Sequence, residues 1–314
     1  NVAVYYGQTS STAAGGLLTL CQDPSVDIII LAFVYTFFGP NNYPSASFGP
    51  GCSGSTTSQA QSAPGLPSCP QLATEITQCQ TIGKPVLLSL GGYIATTAFS
   101  SSAQATQFAN TIWDLFGGGG NSSSSSSSSS STNSDSTALR PFGSVVVDGF
   151  DIDNEDHSTA YYDDFSTALH SLIASDRSKK YYVSAAPQCP RPDASIPLEL
   201  MQAADFVWVQ FYNNPQCNLG SSGFLDSFQA WSRDLAANAS SASSGPRLYI
   251  GGGAWSGAGS GYVEGSQLAG IVQGVNGSHV GNFGGMMFWD GTEGLANQDA
   301  GGKDYLDYAK EALG

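Results

Sequence analysis

Short apolar, β-branched runs return along the whole chain, and segments with helical spacing separate them. The runs are Val2–Tyr6, Asp27–Tyr35, Pro85–Leu90, Ser144–Asp153, Tyr181–Ala185, Asp205–Tyr212, Arg247–Gly251 and Gly285–Trp289. None alternates cleanly between apolar and polar residues, the pattern of strands covered on both faces in a parallel sheet. Helical spacing marks Cys69–Thr81, Ala103–Phe116, Ala160–Ala174, Gly223–Ala237 and Ser266–Gln273. Eight strands alternating with helices over 314 residues, without a repeated break, predict an α/β fold: a (β/α)8 TIM barrel forming one domain, residues 1–314. An open doubly wound sheet is the competing architecture. With 41% hydrophobic residues the chain has material for a large core.

One stretch is out of character. Gly117–Gly120, Asn121 and Ser122–Ser131 contain no apolar residue and no periodicity. Such a tract buries nothing to offset the entropy of ordering it, so a flexible insertion is expected at about 117–137. A phosphate cradle is the other reading of a glycine run, but no Gly-Lys-Ser/Thr follows. A second Gly/Ser segment, Gly251–Gly261, reads as a loop at one end of the barrel.

Charge narrows the ligand class. Ten Lys and Arg against 25 Asp and Glu give a net charge of −15. Such a surface repels phosphate backbones and anionic lipid, which argues against nucleic acid and membrane surfaces and favours a neutral polymer. The six cysteines (Cys21, Cys52, Cys69, Cys79, Cys189 and Cys217) include no C-x-x-C pair. Three disulfides are therefore favoured over a metal site, and neither metal nor cofactor is expected. Asn121, Asn238 and Asn276 each open an N-x-[ST] sequon. Sequons and paired cysteines together point to a secreted protein, extracellular or in a cell wall. The longest apolar run, Ile28–Val34, is too short to span a bilayer, and the opening strand reads as the start of a mature chain. A monomer is the default expectation.

The densest chemistry lies in Ser144-Val-Val-Val-Asp148-Gly-Phe-Asp151-Ile-Asp153-Asn-Glu155, an apolar strand that runs into four carboxylates. Strand side chains alternate, so Asp151, Asp153 and Glu155 share one face at steps of about 6–7 Å. In a barrel that face is the interior near the carboxyl end, where active sites form; Asp148 has the opposite parity and points outward. Carboxylates stacked there repel one another, so at least one stays protonated and becomes available as a general acid at an acetal oxygen. Glu155, nearest the mouth, is the expected acid, and Asp153 its neighbour. A solvated acidic face is disfavoured by the valines leading in. A calcium loop of the EF-hand type needs Gly at its sixth position and Glu at its twelfth, where Asp156 and Tyr162 stand.

Asp148-Gly-Phe-Asp151-Ile-Asp153-Asn-Glu155 resembles the DGxDxDxE signature of glycoside hydrolase family 18. Ser89-Leu-Gly91-Gly92 resembles that family's third-strand motif. Ala185-Ala-Pro-Gln-Cys189-Pro and Val207-Trp-Val-Gln210-Phe-Tyr212-Asn213-Asn214-Pro-Gln-Cys217 resemble its plant-type, hevamine-like branch, including fungal endochitinases. The similarity runs from Val4 to Trp289. It implies an endo-acting chitinase that cleaves β-1,4-linked N-acetylglucosamine with retention, the sugar's own 2-acetamido group serving as nucleophile. Glu155 would be acid and then base, Asp153 would hold the acetamido N–H, Tyr212 its oxygen, and Asp151 would tune Asp153 by sharing its proton. Trp289 would lie under the sugar, with Tyr5, Gln8, Gly91, Gln210 and Asn213 along the groove. The implied disulfides are Cys21–Cys79, Cys52–Cys69 and Cys189–Cys217. Trp255 has no counterpart in that pattern; Tyr6 stands where the short plant enzymes carry tryptophan, and the Ser-rich insertion is foreign to them. A chitin-binding lectin or enzyme inhibitor on the same barrel is one alternative. Endo-N-acetylglucosaminidase or lysozyme-type cleavage is the other.

Overall fold

The computed structural model describes residues 1–9, 15–119, 136–237 and 245–314. The proposed insertion falls almost wholly outside the described residues, as do the sequons at Asn121 and Asn238. Asn276 lies exposed near the end of the helix Leu268–Gly277.

Eight parallel strands form the core: β1 (Val2–Tyr6), β2 (Ile28–Thr36), β3 (Val86–Gly91), β4 (Gly149–Asp153), β5 (Tyr182–Ala185), β6 (Phe206–Gln210), β7 (Arg247–Gly253) and β8 (Phe283–Trp289). Each pairs with the next, and β1 pairs with both β8 and β2, so the sheet closes on itself. Closure excludes the open doubly wound alternative and makes the fold a (β/α)8 barrel. A two-residue strand, Ser45–Ala46, adds antiparallel to the end of β2.

The period of two sorts side chains into two layers. Val2, Val4, Ile29, Leu31, Val86, Leu88, Phe150, Ile152, Val207 and Val209 face outward into a buried layer shared with the surrounding helices. Ala3, Tyr5, Ile28, Ile30, Leu87, Trp208, Tyr249 and Met287 fill the interior. Both layers are buried, which is why the strands read as continuous apolar runs rather than alternating ones. Tyr6 belongs to the outer layer, so its difference from the plant pattern does not touch the barrel interior.

The helices bury one stripe against this layer. Ser102–Phe116 buries Ala105, Phe108, Ala109, Ile112, Trp113, Leu115 and Phe116, and Ser101 caps its start by accepting from Gln104 N. Leu17–Gln22, Thr57–Ser62, Ser136–Leu139, Leu198–Ala203 and Gly291–Ala296 are too short to show a period in sequence. Tyr305–Leu313 is longer and begins at Asp304, whose side chain accepts from Asp307 N.

The run expected as a strand from Ser144 becomes one only at Gly149. Buried Arg140 donates to the carbonyls of Asp114, Gly117, Gly143 and Val145, and so folds the approach into turns. Asp148 does face outward, at the foot of the barrel. It accepts from Val86 N at 2.8 Å and Gln80 Nε2 at 2.9 Å, and pairs with Lys179.

Disulfides join Cys21 to Cys79, Cys52 to Cys69 and Cys189 to Cys217, the pairing that the resemblance implies. The last ties the loop after β5 to the loop after β6. Among the described residues, no helix is long and apolar enough to cross a membrane, and no cluster of His, Cys, Asp and Glu is suited to a metal.

Candidate active site

β4 carries its carboxylates up the barrel axis. Asp151 pairs in register with Ser89 on β3 and Ser184 on β5, and Asp153 lies level with Gly91. The strand ends at Asp153, and Glu155 follows in the loop above.

Asp151 is fully buried and takes four hydrogen bonds. Tyr5 Oη and Ser89 Oγ donate to one oxygen, at 2.8 and 2.7 Å; Ser184 Oγ and Trp208 Nε1 donate to the other, at 2.6 and 2.8 Å. Burial pushes its carboxyl above the ordinary aspartate range, and these four donors oppose the shift. With its lone pairs so engaged, Asp151 has little to offer a cation, which removes the rationale for a calcium loop.

Asp153 is also buried, but among the described residues only one of its oxygens is anchored: Oδ1 accepts from Gln210 Nε2 at 2.9 Å. Burial raises its carboxyl well above the usual range, and the charges of Glu155, Asp151 and Asp193 push the same way. Glu155 is raised too, by burial first; Gln188 donates to Oε2 at 2.8 Å and opposes the shift, while Asp193 adds to it. The charge of Glu155 thus adds to burial in opposing the ionisation of Asp153. The Tyr212 hydroxyl is pushed far up by burial and then by Asp153, Glu155 and Asp151, so it remains a neutral donor.

These groups open onto a cleft of about 570 Å³ at the carboxyl end of the barrel, lined among others by Asp153, Glu155, Tyr212, Gln210 and Trp289. Gly91 is required here. A Cβ on it would lie 2.1 Å from the Asp153 carbonyl oxygen, and its φ of 132° disfavours any side chain. Trp289 stacks on Phe33 with centroids 5.8 Å apart, and Tyr5 meets its edge from below at 5.6 Å. At the rim, Tyr93 is 86% exposed and Ile94 85% exposed, beside Tyr35.

The other expected groove residues divide. Gly91, Gln210, Asn213 and Gln8 line the cleft. The Gln8 amino group is spent on the carbonyls of Ala32 and Ser47, both at 2.9 Å. Asn213 exchanges hydrogen bonds with the backbone of Ser260 and so is tied to the loop after β7. Tyr5 does not line the cleft: it is 2% exposed and lies one layer below, its hydroxyl given to Asp151. Trp255 packs against the outer core layer. The residue that the sequence reading passed over is Gln188. It stands in the quoted Ala185-Ala-Pro-Gln-Cys segment, but only the fold brings it to Glu155.

Residues 1–251 match the family model for glycosyl hydrolases family 18. Endochitinase 3 of Metarhizium anisopliae is 38% identical over 299 residues, 94% of this chain and 93% of that protein. The endochitinase of Saccharomyces cerevisiae is 36% identical, and its match takes in all of this chain but only 50% of the yeast protein. Among solved structures, a chitinase from Ipomoea carnea superimposes with a TM-score of 0.75 at 29% identity, covering 99% of both chains. The chain is a glycoside hydrolase and belongs to glycosyl hydrolases family 18.

Proposed function

We propose that the chain is an endo-acting chitinase that hydrolyses β-1,4-linked N-acetylglucosamine polymers with retention. The observation that carries this reading is the grouping of Asp153, Glu155, Tyr212 and the indole of Trp289 around one cleft. An indole face suits the C–H face of a pyranose ring. The names of the two fungal relatives support the substrate class.

In the first step the acetamido carbonyl oxygen attacks its own anomeric carbon while the glycosidic C–O bond breaks. Glu155 gives its proton to the departing oxygen. Asp153, with Oδ1 held by Gln210, turns its other oxygen to the acetamido N–H and offsets the positive charge of the oxazolinium ring. Tyr212 donates its hydroxyl to the acetamido oxygen. In the second step water attacks the anomeric carbon, the bond from that carbon to the acetamido oxygen breaks and restores the acetamido group, and the water gives a proton to Glu155, which restores the acid. Asp151 touches no substrate in this scheme; it holds Tyr5, Ser89, Ser184 and Trp208 together beneath Asp153. The exposed Tyr35, Tyr93 and Ile94 extend the apolar rim, which favours a chain over a single sugar.

The disulfides support a secreted protein, extracellular or in a cell wall. Matched assays on soluble chito-oligosaccharides, an N-glycoprotein and peptidoglycan test the substrate. Cleavage of the chito-oligosaccharides at internal bonds is expected. Faster cleavage of either other substrate would assign the same chemistry to a different polymer, and binding without turnover would indicate a lectin or inhibitor.

A further inference from the structure

We infer that Gln188, oriented by Asn214, determines which oxygen of Glu155 carries the proton, and is a positioning residue for the acid. This rests on the proposed role of Glu155. Gln188 lies in the loop after β5 and Asn214 in the loop after β6. Gln188 Nε2 donates to Glu155 Oε2 at 2.8 Å, and Gln188 Oε1 accepts from Asn214 Nδ2 at 3.1 Å. The second contact dictates the first. A carboxamide has donors at one end and an acceptor at the other, so engaging its oxygen on Asn214 turns its amino group to Glu155. A carboxyl oxygen that accepts this N–H is the poorer site for a proton. The proton therefore sits on Oε1, the oxygen Gln188 leaves for the substrate.

Both positioning side chains are themselves held. Gln188 N donates to Asp193 Oδ2 at 2.8 Å, and Asn214 N donates to Asn218 Oδ1 at 2.8 Å. Asn214 Nδ2 also donates to the Tyr212 carbonyl at 3.2 Å. The Cys189–Cys217 disulfide joins the two loops, its Cα atoms 6.0 Å apart, with one half directly beside Gln188. Ordering a flexible glutamine in solution has an entropic cost that this frame meets during folding.

The titratable groups that act on Glu155 are Asp153 on β4, His157 in the loop after it, Asp193 after β5 and Tyr212 after β6. Gln210 also leans toward Glu155, but its amino group serves Asp153 Oδ1 and the Ala186 carbonyl. Gln188 is thus the side chain that anchors Oε2.

The test uses Gln188→Leu and Asn214→Asp, with kcat and KM measured against pH on a soluble chito-oligosaccharide. Gln188→Leu removes a donor that favours the carboxylate, so the alkaline limb of kcat moves to higher pH. Asn214→Asp keeps the shape but replaces the donor by an acceptor. The Gln188 amide then turns its carbonyl to Glu155 and traps the proton on the wrong oxygen. The limb again moves up, and kcat falls about tenfold with KM little changed. A structural defect alone would lower kcat evenly and leave the limb in place. Near-UV circular dichroism monitors folding; if Gln188→Leu unfolds, the isosteric Asn214→Asp decides. An unmoved limb in the folded variants overturns the inference. Glu155→Gln, measured alongside, separates the two readings: activity that survives it refutes the acid itself, whereas its loss with an unmoved limb refutes only the role of Gln188.

Discussion

Replacing Glu155 with Gln lowers kcat on chito-oligosaccharides by at least about a hundredfold, because a positioned acid–base group contributes about 10²–10⁴. The substitution keeps the size and polarity of the side chain but leaves no proton to give to the departing oxygen. KM changes far less, since Trp289, Tyr212 and Asp153 still line the cleft. A loss below about tenfold would remove Glu155 from this role. The pH dependence has a definite sign. Burial holds Glu155 above the ordinary range, so the protonated acid persists to higher pH than a free glutamate, and kcat falls as pH rises through that raised value. Stability runs the same way. Between the unfolded and folded pKa values the native state binds more protons than the unfolded one, so rising pH destabilises the fold there. Removing this carboxylate leaves Glu155→Gln at least as stable as the native chain at neutral pH. Lost turnover with an unchanged or higher melting temperature therefore separates chemistry from folding.

Fully deacetylated chitosan is cleaved more slowly than chitin oligomers of equal length by on the order of a thousandfold or more, because intramolecular attack supplies a large effective concentration of nucleophile. The geometry gives no substitute for the missing acetamido group. Asp151 sits beneath the floor with both oxygens taken by four donors, and Asp153 has one oxygen anchored to Gln210. Deacetylation also removes the amide N–H assigned to Asp153 and the oxygen assigned to Tyr212. Efficient cleavage of chitosan would require a protein nucleophile that this account does not contain.

The fold was legible because β-branched runs buried on both faces leave a sequence signal at every strand. β1, Val2–Tyr6, matches its expected span residue for residue. The misreading at Ser144–Asp148 has a local cause: those valines are apolar because they pack, but the four carbonyls gathered by Arg140 set the path of the backbone. Period counting also misses Leu17–Gln22, which is less than two turns long. In the site, the parity rule put Asp151, Asp153 and Glu155 on one face. What it could not give was depth. Tyr5 and Asp151 share the face that forms the cleft, yet lie one layer under its floor, a distinction set by how far each strand rises before its loop. Gln188 was hidden for another reason. Its contact with Glu155 spans 33 residues and depends on two loops joined by the Cys189–Cys217 bridge. Nothing local to Gln188 marks it.

The anomeric configuration of the first product most directly tests the central claim, that the substrate's amide attacks while Glu155 protonates. Proton NMR of a chito-oligosaccharide digest, recorded before mutarotation, should show the new reducing end in the β form. An initial α product would mean direct attack by water and would contradict the account.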